Sequence, residues 1–191
     1  MELRNIEFHP LPDGGKMVQT SDGFFIYSKD SYLERKDFTE SFIRFLDDHY
    51  SEAYDALREW FRSSRSNVTY FRFLIVDQFI ACNSCGTDNR MDVDEMGSLH
   101  TEHIYCPIRS RCSRNNIVCY PRPNTPLSKK QIEVLELLDL GVSEEMIATK
   151  LHISKETVLK HKANIFKVLE IHDKASLIRY VRDNNLFKHS L

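Results

Sequence analysis

The spacing of apolar residues changes character several times along the chain, and each change predicts an element. Residues 1–30 show no helical period. Pro10, Pro12, Asp13-Gly14-Gly15 and Asp22-Gly23 are turn signals, with short strands predicted between them at Lys16–Thr20 and Phe24–Tyr27. From Asp37 the period becomes helical. Phe38, Phe42, Phe45 and Leu46 form one stripe, and Tyr50, Tyr54, Leu57, Trp60 and Phe61 form a second, with Ser51 as the candidate cap of the second helix. Aromatic residues at this spacing predict core rather than a ligand site. Val68–Ala81 is apolar almost throughout and fits either a buried strand or a buried helix; period alone does not choose.

An acidic, turn-rich stretch follows to Glu102, then a basic, cysteine-bearing stretch to Tyr120. Pro121, Pro123 and Pro126 mark a linker. Beyond it the pattern predicts four capped helices. Ser128 opens a helix through Leu140 that buries Ile132, Val134, Leu135 and Leu138 and stops at Gly141. Ser143 caps Glu144–Leu151, whose first turn is acidic, as the helix dipole favours. After a tight turn at His152-Ile153, Ser154 caps a helix over residues 155–169. Its apolar residues Val158, Ile165 and Leu169 fall within roughly 40° of one line, at about 100° per residue. Glu156, Lys160, Ala163 and Lys167 cluster on the opposite side, flanked by Leu159 and Asn164. Asp173 caps a last helix over residues 174–184, with Leu177, Ile178 and Val181 as its apolar positions.

A short helix, a tight turn and a second, basic helix make a helix-turn-helix arrangement. The expected fold is therefore mainly α. Its parts are an α+β region over residues 1–81, a cysteine-rich and zinc-binding candidate subdomain over 82–122, a linker over 123–126, and a four-helix DNA-binding domain over 127–191.

Charge sharpens this picture. The net charge of −2 conceals an uneven distribution, because residues 155–191 carry 8 basic against 4 acidic groups, whereas residues 1–76 carry 10 against 13. Residues 104–123 add Arg109, Arg111, Arg114 and Arg122 with no acid, either as an exposed basic loop or as extra phosphate contacts. A polyanion is expected to meet the C-terminal half. On the basic helix, Ser154, Lys155, Thr157 and the first-turn amides suit phosphate. Lys160, Ala163 and Lys167 face outward, with Lys160 placed to reach guanine and Lys167 placed for a phosphate.

These residues also resemble a family. LSKKQIEVLELLDLGVSEEMIATKLHISKETVLKHKANIFKVLEI is similar to the LuxR-type (NarL/FixJ-type) DNA-binding domain of bacterial transcription regulators. The resemblance rests on Leu127, Ser128, Glu133, Val134, Leu135, Gly141, Ser143, Ile147, Ala148, Leu151, Ile153, Ser154, Thr157, Val158, His161, Ile165, Lys167 and Leu169, and it covers about 60 of 191 residues. Leu159 stands where the pattern carries Lys, which leaves Lys160 or Lys162 to supply that phosphate contact. His161 matches the family histidine, either at the interface or packed to orient the helix. The resemblance implies double-stranded DNA as partner and homodimerisation through helix 174–184 that leaves Leu177, Ile178 and Val181 partly exposed in a monomer; RNA polymerase is a further candidate partner.

All five cysteines lie between residues 82 and 119, and no export signal argues for disulfides. Cys82-Asn-Ser-Cys85-Gly has the spacing of a zinc knuckle, and Cys106, Cys112 and Cys119 follow. Four of the five suffice for one structural zinc. The set is either Cys82, Cys85, Cys106 and Cys112, or Cys106, Cys112 and Cys119 with one of the first pair. Buried structural thiols and an iron–sulfur or redox sensor are the competing readings.

Several classes fall away. His100-Thr101-Glu102 ahead of Cys106-Pro107 resembles the zinc deaminase signature in part, but the Cys-Pro order and the next cysteine's spacing both depart from it. No HExxH, P-loop or GxSxG occurs, so an enzyme is not expected. A receiver domain would need an acidic pair after its first strand, and Asp47-Asp48 sits within a helical pattern instead. No run approaches the roughly 20 apolar residues of a membrane span. MELRNIEFHP lacks the basic and apolar regions of a signal peptide, so a cytoplasmic location is expected. The best reading is a sequence-specific transcription regulator. A small sigma-factor-like protein and an interaction module that turns the basic helix toward protein are the alternatives.

Overall fold

A computed structural model describes residues 2–84, 86, 90–184, 186 and 187. The chain divides into two compact units, Met1–Asn124 and Thr125–Leu191. Among the described residues there are seven α-helices and one three-stranded sheet.

In the first unit, strands β1 (Glu7–Pro10), β2 (Lys16–Thr20) and β3 (Gly23–Tyr27) form an antiparallel meander in the order β1-β2-β3, with Phe8 opposite Val18 and Val18 opposite Phe25. Strand alternation sends Phe8, Val18 and Tyr27 to one buried face. That face meets α1 (Lys36–His49), where the Phe38 ring lies 5.0 Å from Tyr27 and 5.2 Å from Phe25. Helices α2 (Ser51–Trp60) and α3 (Val68–Asn83) complete the layer. The ambiguous apolar run is thus a helix. Asn67 caps it through the Tyr70 amide at 3.1 Å, and apolar residues fall on its half-exposed side, at Tyr70, Phe71 and Leu74, as well as on its buried side. Lys16, buried on the sheet, is neutralised by an ion pair with Asp77 of α3.

Two expectations are corrected here. Ser51 does not cap α2: Tyr50 occupies that position, and the Ser51 amide and hydroxyl donate to Asn124 Oδ1 at 3.0 and 2.7 Å. Nor does the cysteine-bearing segment form a subdomain. Val93, Leu99 and Val118 belong to the same core as the sheet and helices, and Val93 bridges Ile6. Asn83, fully buried at the end of α3, donates to the Val118 carbonyl at 2.8 Å and accepts from the Tyr120 amide at 2.9 Å. A segment so thoroughly tied has no core of its own.

The second unit contains α4 (Lys129–Asp139), α5 (Glu144–Leu151), α6 (Lys155–Val168) and α7 (Lys174–Asp183). Ser128 and Gln131 form a reciprocal capping box on α4. Gly141 takes φ 75°, which a β-carbon would oppose, and lets the chain leave α4. Val134, Leu135, Leu138, Ile147, Val158, Ile165, Leu177 and Val181 make one core.

Candidate nucleic-acid interface

Helix α6 owes its placement to the turn before it. His152 adopts φ 53°, ending α5 in the left-handed region, and the Ile153 amide returns to the Ala148 carbonyl at 3.1 Å. The Ser154 hydroxyl then accepts the Thr157 amide at 3.1 Å. Val158 and Ile165 are fully buried and anchor one side of α6. The opposite side is free of core contacts: Glu156, Leu159, Lys160, Ala163, Asn164, Lys167 and Val168 are all exposed.

The cationic residues on this helix fall into two groups. Lys155 is ion-paired with Glu145, which raises the lysine's pKa and lowers the carboxylate's. Lys162 donates to Glu144 at 2.6 Å, and that hydrogen bond holds the Glu144 carboxyl below its usual range. Both pairs connect α6 to the acidic first turn of α5. Lys160 and Lys167, by contrast, have no ion pair among the described residues. They project from the exposed face, with the Glu156 carboxylate one turn before Lys160.

The helix start is less open to an anion than its sequence suggests. Ser154 already holds the Thr157 amide, and the two hydroxyls lie 3.0 Å apart. The Glu156 carboxylate interacts with its own amide and lies near Ser154, which lowers its pKa. His161 is half-buried, between face and core. Of the predicted positions, Leu159, Lys160, Ala163, Asn164 and Lys167 therefore come together on one exposed surface, whereas Ser154, Lys155 and Thr157 have local partners. Val168, 42% exposed at the far end, is an additional surface residue. Its place beyond the last lysine carried no sequence signal.

On α7, Leu177 and Val181 are 1% and 3% exposed, so they complete their own unit's core rather than remaining open as expected. Ile178 is half-buried.

In the first unit the basic loop is held by aromatic rings. The Arg114 guanidinium lies 4.2 Å from the Trp60 ring centre and that of Arg109 lies 4.9 Å from Tyr120. Of the candidate metal ligands, Cys85 lies outside the described residues. Cys82, Cys106, Cys112 and Cys119 carry no disulfide. Burial raises the Cys82 pKa and pushes Cys119 up to about 12, with the two thiols hydrogen-bonded to each other. Among the described residues no group of three or more Cys, His, Asp or Glu is arranged to hold a metal ion. His100 is likewise engaged, 2.8 Å from Asp94 Oδ2.

Comparison with known proteins agrees with the geometry of the second unit. Residues 125–181 match the sequence model of a family described as bacterial regulatory proteins, luxR family. The chain is 41% identical over 61 residues to the Fimbriae Z protein of Salmonella typhimurium, a match covering 32% of this chain and 29% of that protein. It is 36% identical over 73 residues to the Fimbriae Z protein of Escherichia coli, covering 38% and 32%. It is 34% identical over 62 residues to the response regulator protein VraR of Staphylococcus aureus, covering 32% and 30%. The chain thus spans about a third of the length of these relatives. No solved structure matches it. No helix among the described residues is long and apolar enough to cross a membrane. Through residues 125–181, the C-terminal unit of this chain belongs to the LuxR family as a helix-turn-helix domain.

Proposed function

We propose that the protein is a sequence-specific, DNA-binding transcription regulator of the cytoplasm that lays α6 in the major groove of duplex DNA. The observation that carries this reading is the outward face of α6, where Lys160 and Lys167 stand exposed and unpaired around Ala163. A small residue between two cations lets the helix approach the base edges closely. Lys160 reaches guanine, Asn164 reaches the neighbouring purine, and Lys167 meets a phosphate at the groove wall. Lys155 and Thr157 approach the other wall, after Lys155 exchanges Glu145 for phosphate. Ser154 and His161 set the helix in place.

Half-buried Ile178 and Tyr180 on α7 supply apolar surface for a second copy, so that a dimer reads two half-sites. The test is selection of bound duplexes from a random-sequence library with the full chain. Enrichment of one short sequence, lost with Lys160→Ala, supports sequence-specific reading; recovery of unenriched sequence overturns it.

A further inference from the structure

The exposed face of α6 is divided lengthwise. With about 100° per residue, Leu159 and Ala163 lie roughly 40° apart along one edge, and Lys160 and Asn164 lie roughly 40° apart along the other. Lys167 falls between the two edges. Leu159 is 45% exposed, about 100° round the helix from Val158, which is completely buried. A lone exposed leucine is unremarkable on a protein surface. This one sits one turn from an exposed alanine and is continuous with it, so the two present a strip of methyl groups beside a strip of hydrogen-bond donors.

In the major groove only one base offers a matching apolar group, the C5-methyl of thymine. Cytosine has only hydrogen at C5, and its amino group at the adjacent C4 would be desolvated without a partner by a leucine side chain. We infer that Leu159 and Ala163 are specificity-determining residues that read thymine methyl groups on one strand of the half-site, while Lys160 and Asn164 read purines on the other edge of the groove. This deepens the proposed function and rests on it. The side chain at position 159 thereby acts as a base selector, a role for which a charged residue would be unsuited.

The experiment uses the full chain and the duplex obtained by selection, resynthesised with each thymine replaced in turn by uracil. That exchange removes a methyl group and leaves base pairing intact. Loss of one buried methyl is expected to weaken binding about fourfold at the one or two thymines read by this edge. Leu159→Ala is expected to abolish the sensitivity to uracil at one of those positions and to leave the others unchanged. Uniform tolerance of uracil by a chain that still binds the duplex tightly overturns the methyl reading alone. Failure of the chain to bind any duplex instead overturns the proposed function on which it rests.

Discussion

Lys162 of α6 and Glu144 of α5 are joined at 2.6 Å, whereas Lys160, two residues earlier, is unpaired on the outward face. One lysine braces the two helices of the helix-turn-helix; the other is left for a ligand. The two substitutions should therefore separate. Lys160→Ala is expected to cost on the order of 1–3 kcal/mol of DNA affinity and to relax preference at one base position. Lys162→Ala should leave base preference intact and cost at most about 1 kcal/mol of folding stability, as for other partly exposed pairs. Titration of both variants against matched and singly mismatched duplexes checks this. Equal and uniform losses would contradict the division.

The brace also has a pH signature. The Glu144 carboxyl is held below its ordinary pKa by Lys162, so its contribution is present above the unfolded-state value and is lost as pH falls through the folded-state value. Glu144→Gln should remove that part of the acid sensitivity of the second unit, followed by circular dichroism. Retention of the full acid sensitivity would show that the pair contributes nothing.

Asp92 predicts the opposite slope in the first unit. Its side chain is 1% exposed, and Oδ2 accepts from the Phe8 amide at 2.8 Å. Burial pushes its pKa up to about 8 against the lowering effect of that amide, and the charges of Glu7 and Glu102 add to the rise. A raised pKa means that the folded state holds the proton more tightly. The stabilisation is fully present below the unfolded-state value and is lost as pH rises through about 8. Asp92→Asn, which mimics the protonated form, should flatten this decline in thermal stability between the ordinary carboxylate pKa of 3.8 and about 8. An unchanged slope would place the titration elsewhere.

Trp60 is the chain's single tryptophan and lies under Arg114, which makes its emission a reporter of how the cysteine-bearing loop docks on α2. Arg114→Ala should change the Trp60 emission and cost about 0.5–1 kcal/mol. With no change in emission, the ring contact is not populated in solution.

The legible parts of the fold were those in which each element carries its own signal. The serines at 128, 143 and 154 and the aspartate at 173 cap their helices as predicted, because capping depends on residues three apart in sequence. The strands at Lys16–Thr20 and Gly23–Tyr27 are bounded by turn chemistry and fall almost where expected. Strand β1 escaped notice because four residues ending in a proline offer too little alternation. Val68–Asn83 could not be assigned from period because apolar residues such as Phe71 and Leu74 also occupy its half-exposed side and leave little of the polar face that marks a helix. Ser51 was read as a cap on local grounds, but its partner is Asn124, far along the chain.

The exposed part of the candidate site was legible for the same reason as the caps, since helical spacing decides which side chains share a face. Its electrostatics were not. The pairings of Lys155 with Glu145 and Lys162 with Glu144 cross from one helix to another, and only folding reveals which lysines remain unpaired.

The most direct test of the outward face of α6 is the affinity of the full chain for mixed-sequence duplex DNA across a range of salt concentrations. The account predicts a linear fall of log affinity with log salt, with the slope reduced by about 1 when Lys167, the phosphate contact, is replaced by Ala. Binding that is absent at low salt, or that is insensitive to salt and to that substitution, would contradict it.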